Sequence, residues 1–156
     1  MNGKLFISFG IAFLIFAFCL PGSAQVNEID KASILKTSPE WQEAYDAYVA
    51  DEMILKSIAG KVPALRIDVY LGTWCSDSRQ HVPVFIKILA ALENSGLTVK
   101  FYTVEKKTDP SMKYYVDELE VERVPTFIFY RDDREIGRII ENPQETLAED
   151  FLKIVY

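Results

Sequence analysis

Gly72-Thr73-Trp74-Cys75-Ser76-Asp77-Ser78 separates two segments of different period. Upstream, Leu65-Arg66-Ile67-Asp68-Val69-Tyr70-Leu71 is a short apolar run of strand length. Downstream, Val82, Phe85, Ile86, Leu89 and Leu92 share one helical face, and Gly96 closes the pattern. The seven residues are a strand-to-helix junction with a cysteine in it. The first turn of a helix has N–H groups without partners, and the helix dipole adds positive potential there. A sulfur in that field is favoured as thiolate, the nucleophilic form of cysteine.

Further along, Leu97 to Val104 alternates and predicts a second strand. Asp109-Pro110 predicts a helix start, with Met112, Tyr115, Val116 and Leu119 as its apolar face. Thr126 to Tyr130 reads as a strand, Arg131 to Arg134 as a turn, and Glu135 to Glu141 as the returning arm of a hairpin. Asn142-Pro143-Gln144-Glu145 has the form of a capping box, opening a last helix that buries Leu147, Phe151, Ile154 and Val155. Before the junction, Ser38-Pro39-Glu40 reads as N-cap, N1 proline and first-turn acid. Trp41, Ala44, Tyr45, Tyr48, Leu55, Ile58 and Ala59 follow at helical spacing up to Gly60, broken at Asp51-Glu52, so one bent helix or two are both open. The order β-α-β, α, β-β-α implies an α/β domain. A crossover gives a parallel strand pair, the hairpin adds antiparallel strands, and helices cover both faces of a central mixed sheet.

The chain has 156 residues, room for one domain. Lys4, the 16-residue apolar run Leu5 to Leu20, and Gly22-Ser23-Ala24 form the pattern of a secretory signal peptide. The expected organisation is a signal peptide over 1–24 cut after Ala24, a linker or mobile start over 25–37, and one domain over 38–156. The alternative is an uncleaved anchor, which would be the protein's only attachment to a membrane. Phe18 before Cys19 is not the small neighbour of a lipidated cysteine. Cleavage removes Lys4 and no acid, which moves the formal net charge from −6 to −7 (16 bases against 23 acids). An acidic domain of this kind is a poor partner for nucleic acid or anionic membrane surfaces. Cys19 leaves with the signal, so Cys75 is the one cysteine of the exported chain. In a periplasmic or extracellular setting it has no internal partner for a disulfide.

Over roughly residues 60–156 the sequence resembles the thioredoxin family. Trp74-Cys75 opens a helix after a strand. Pro83 stands eight residues after Cys75, where the family has a helix-kinking proline. Val124-Pro125-Thr126, fifty residues downstream of the cysteine, resembles the family's cis-proline loop. The β-β-α ending matches as well. The resemblance implies a thioredoxin-like fold with an extra N-terminal helix. It implies Trp74, Cys75 and Ser78 as the reactive motif, and Val124, Pro125 and Thr126 as the groove for a client's backbone. Client thiols or disulfides, and small-molecule thiols, are the implied partners. It implies no cofactor.

Three positions depart from the family pattern. Ser78 stands in place of the second, resolving cysteine. Asp77 occupies a position where proline is common. The family's buried acid, six residues before the nucleophile, corresponds to Val69. Asp68 is one residue earlier and so faces the other way. It is expected to be a solvated or hydrogen-bonded strand acid. A single thiol can attack a disulfide, but Ser78 cannot displace the product. Resolution then falls to the client's own second thiol, as in an isomerase, or to an external thiol, as in a monothiol reductase. A binding module that holds clients without turnover and a redox sensor are the other readings. Ser78 is expected to hydrogen-bond the Cys75 sulfur, and a Ser78→Cys change to cost little stability.

Competing chemistries are poor. His81, the only histidine, lies six residues from Cys75 and off its helical face. Two such ligands do not close a zinc site, and His81 is expected on the helix surface. Asp132-Asp133 reads as a turn.

Overall fold

The computed structural model of the protein describes residues 26–92, 96–106, 114–116 and 119–156. The first 25 residues, and with them the expected signal peptide, lie outside the described residues.

The centre of the fold is β2 (Leu65–Leu71), in which every residue except Arg66 is buried. It pairs in parallel with β3 (Thr98–Val104) and antiparallel with β6 (Thr126–Arg131). The hairpin partner β7 (Arg134–Ile140) lies outside β6, and β1 (Val26–Glu28) pairs antiparallel with the outer side of β3. The order β1-β3-β2-β6-β7 is a mixed five-stranded sheet, and a mixed sheet flanked by helices is the expected fold class. Asp132 (φ 51°) and Asp133 (φ 58°) supply the two left-handed residues of a two-residue hairpin connection between Arg131 and Arg134.

The helices among the described residues are α1 (Lys31–Leu35), α2 (Pro39–Ala47), α3 (Glu52–Ala59), α4 (Ser76–Ala91) and α5 (Leu147–Val155). All five bury residues in one core with Leu65, Ile67, Val69 and Leu71 of β2 and with Phe101, Phe127 and Phe129. Phe85 of α4 and Phe151 of α5 meet Phe127 and Phe129 in an aromatic cluster, with ring centroids 4.8 Å (Phe85–Phe127) and 5.0 Å (Phe129–Phe151) apart. Truncating such a ring costs about 3–5 kcal/mol. The opposite sheet face carries Tyr70, Ile128 and Tyr130, packed with Val104, Val121 and Val124.

Three elements differ from the sequence expectation, and one alternative left open is settled. Residues 25–37 were expected as a linker, yet they hold β1 and α1. The latter is capped by Asp30, whose carboxylate accepts from Ser33 N–H at 3.0 Å. The stretch Trp41 to Ala59 is two helices, because the Asp51 carboxylate accepts from the N–H groups of Met53 (2.8 Å) and Ile54 (3.1 Å) and restarts the chain as α3. The helix expected from Asp109-Pro110 is not a helix where the chain is described. Tyr114–Val116 (β4) pairs antiparallel with Leu119–Val121 (β5), so Tyr115, Val116 and Leu119 are strand residues. Residues 109–113, with Met112, lie outside the described residues. Hence all the described helices pack on one face of the sheet, and the other face meets Val121 of the hairpin. Aromatic and β-branched residues in short runs favour a ladder over a helix. Finally, the capping box of α5 is Thr146 and Glu149, four residues beyond the expected Asn142 and Glu145.

Candidate functional site

The β2–α4 junction sets the site. Cys75 is the N-cap of α4 with extended backbone (φ −90°, ψ 129°), and its own N–H donates to Gly72 O at 3.0 Å. The turn from Gly72 to Cys75 is closed further by Ser78. Its side chain is fully buried, and its hydroxyl oxygen accepts from the buried Gly72 N–H at 3.1 Å. Ser78 thus ties the helix start to the strand end. The recorded contact of its hydroxyl is with backbone, whereas the Cys75 sulfur is turned toward Val124.

Trp74 is 40% exposed and donates from its indole Nε1 to Val104 O at 3.2 Å. Its ring lies against Gly72, where an added Cβ would come within 2.7 Å of the indole Cε2. Glycine is therefore required at 72 for this indole position.

The second wall comes from the segment before β6. The Val124–Pro125 peptide is cis. The half-buried Cys75 thiol donates to Val124 O at 3.1 Å. Pro125 O accepts from Glu141 N–H at 2.7 Å, and Glu141 itself stands at φ 57°. The Thr126 hydroxyl donates to Arg123 O at 2.7 Å, and Arg123 Nη1 pairs with Glu141 Oε2 at 2.7 Å. This hydrogen bond, donated to Glu141, raises the Arg123 guanidinium above its ordinary range. Of the three expected groove residues, Val124 faces the sulfur. Pro125 is held by Glu141, and Thr126 is buried and spends its hydroxyl on the loop itself.

Trp74, Cys75, Val124 and Lys106 line a cleft of about 250 Å³ together with Glu122, Arg123 and Glu141. Beyond that ion pair lies a larger concavity of about 600 Å³ that includes Thr126, Arg138 and Ile140. Arg123, Glu141 and Lys106 were not singled out from the sequence. The signal that could have found the first two is their place beside the Val124-Pro125 loop and at the end of the hairpin.

His81 is a correction: it is buried, 9% exposed, with Nε2 2.9 Å from Asn142 Oδ1. The buried residues Ser78, His81, Phe85 and Ile88 recur at helical spacing, so position 81 belongs to the covered face of α4. Asn142 serves this contact and does not cap α5. Asp68 is buried at 4% exposure and paired with Arg66, whose guanidinium lies 3.9 Å from the Tyr130 ring centroid. It is a hydrogen-bonded strand acid, not a solvated one. Asp68 Oδ1 and the Tyr130 hydroxyl are both buried without a hydrogen-bond partner among the described residues. Burial, and then the Asp68 carboxylate, push the Tyr130 hydroxyl up to about 12. Val69 lies in the main core. Among the described residues no three histidine, cysteine or acidic side chains form a metal site.

A mixed sheet, a thiol at a helix start and a proline loop across from it define a thioredoxin-like protein. The comparisons agree: a family model described as Thioredoxin matches residues 24–150, and the chain belongs to that family. A Dictyostelium discoideum protein named "Putative thioredoxin-5" is 44% identical over 71 residues, which cover 45% of this chain and 63% of that relative. No solved structure matches.

Proposed function

We propose that this protein carries out thiol–disulfide exchange through Cys75 alone, outside the cytoplasm. The observation that carries the reading is the half-buried Cys75 thiol at the start of α4, 3.1 Å from Val124 O and inside a cleft open to clients. The Cys75 thiolate attacks a client disulfide, a mixed disulfide forms, and the client's other sulfur leaves as thiolate. Ser78 is buried against Gly72 and has no thiol to give. The mixed disulfide is then resolved by the client's released thiol, which isomerises the client, or by an external small thiol, which reduces it. Export rests on the charged, apolar and small-residue succession of residues 1–24.

The family relationship suggests thiol redox chemistry in general, and the single cysteine suggests the monothiol form. The second reading is a binding module. It is favoured by the Cys75–Val124 contact, which occupies the backbone carbonyl that a client strand would use.

Turnover of a protein disulfide substrate, with and without a small thiol and beside Cys75→Ser, separates these readings. Turnover that depends on added thiol and vanishes in Cys75→Ser is the expected result. Client binding that survives Cys75→Ser without turnover would favour the module. Secretion of a reporter fused after Ala24, blocked by a charge placed in Leu5 to Leu20, tests the address.

A further inference from the structure

We infer that Lys106 makes the cleft selective for disulfides that carry a carboxylate near the reacting sulfur. The inference rests on the thiol reading above and adds a substrate class to it.

Lys106 is exposed two residues beyond the end of β3 and lines the same cleft as Cys75. Its ammonium lies 6.0 Å from the Trp74 ring centroid, at the outer limit of a cation–π contact, so the ring holds it weakly. It has no carboxylate partner among the described residues. The cleft's other cation, Arg123, is committed to Glu141 at 2.7 Å and is also stabilised by Glu122.

The other charged residues lining the cleft are acidic, and Arg79, one turn along α4, acts on Glu40 of α2. Asp77 sits in the first turn of α4, Glu105 adjoins Lys106, and Glu122 and Glu141 line the cleft. The whole chain carries −6. An anionic disulfide is therefore repelled at long range, and among the described residues lining the cleft Lys106 is a cation without a carboxylate partner that can offset this. A neutral disulfide feels neither effect.

The step read is one exchange. The Cys75 thiolate forms a bond to one reagent sulfur, the reagent S–S bond breaks, and the other half leaves as a thiolate with the electron pair. The probes are dithiobis(nitrobenzoate), which carries a carboxylate on each ring, and the uncharged dithiodipyridine. Both are followed by absorbance on the purified protein, with Cys75→Ser as the blank that removes any contribution from Cys19.

Lys106→Gln is expected to lower the anionic-to-neutral rate ratio about threefold at low salt, the effect of one unit charge roughly 6 Å from the reagent's carboxylate in a water-like medium. Lys106→Arg should restore the ratio, and molar salt should erase the difference. An unchanged ratio in Lys106→Gln would overturn the inference. So would an equal fall in both rates, which would make Lys106 a support for the cleft's shape. If neither reagent reacts with the wild-type thiol, the thiol reading falls and this inference falls with it. If the neutral reagent reacts and the ratio ignores Lys106, only the inference falls.

Discussion

Replacing Ser78 with cysteine restores the second thiol that the family pattern calls for, and the structure attaches a cost to that change. The Ser78 oxygen is fully buried and accepts the buried Gly72 N–H at 3.1 Å. A buried N–H that loses its acceptor costs about 1–3 kcal/mol. Alanine at 78 should fall in that range, near about 2 kcal/mol. Cysteine keeps a weak, larger acceptor and should cost about 1 kcal/mol, or roughly 3–4 °C in Tm for a domain of this size. This corrects the expectation of a neutral swap, which treated the position as an ordinary helix start.

Urea unfolding of wild type, Ser78→Ala and Ser78→Cys measures both costs, with the slope unchanged if the native fold is kept. In parallel, non-reducing gels and mass spectrometry follow mixed disulfides on Cys75. They should persist in the wild type and be short-lived in Ser78→Cys, because an intramolecular thiol acts at high effective concentration. If both variants are as stable as wild type within about 0.3 kcal/mol, below the range expected for a lost buried acceptor, the Gly72–Ser78 bond holds nothing together. If the cysteine variant's adducts live as long as the wild type's, the side chain at 78 stays on Gly72 and does not reach the sulfur.

Gly72→Ala should push the indole of Trp74 off its seat and break its bond to Val104 O. The cost expected for overpacking is about 1–3 kcal/mol, read by unfolding and by a shift in Trp74 fluorescence in a Trp41→Phe background. The Tyr130 hydroxyl is raised to about 12 by burial and by Asp68. Its contribution to stability is fully present below the unfolded tyrosine value near about 10 and is lost as pH rises through the folded value. Tyr130→Phe should therefore flatten the loss of stability between those limits in alkaline melts and be close to neutral at pH 7, where it removes an unpartnered hydroxyl. Thr146→Ala should cost α5 about 1 kcal/mol, while Glu145→Gln should cost little, by chemical unfolding. An equal loss in both would return the cap to the Asn142 segment.

The junction, the parallel pair and the hairpin were legible because each has a clean period: Leu65 to Leu71, Leu97 to Val104, and Thr126 to Glu141 around two aspartates. The Cys75 and Val124 neighbourhood came from the resemblance of Trp74-Cys75 and Val124-Pro125-Thr126 to the family pattern and not from period. β1 was hidden because Val26-Asn27-Glu28 is an exposed edge strand held by ladder bonds, with no apolar alternation to announce it. Residues 114–121 carry apolar residues at spacings that suit either a helix or two short strands, and tertiary pairing decided. His81 was missed because a lone polar residue was weighed by type and not by its place between Ser78 and Phe85. The roles of Arg123, Glu141 and Lys106 depend on segments that meet only in three dimensions, and local pattern does not carry that information.

The three residues of β1 have a consequence for solubility. The parallel strand β3 would otherwise end the sheet with open N–H and C=O groups, a template for a second molecule. Val26–Glu28 covers that side, and Ile29 N–H adds a bond to Phe101 O at 2.9 Å. The other border, β7, is guarded differently. Arg134, Glu135 and Arg138 place charge along it, and a register irregularity sits opposite at Phe129/Tyr130. A chain cut after Ile29 would keep its thiol and its cleft, yet it would offer β3 to its neighbours and be prone to aggregate through that bare edge.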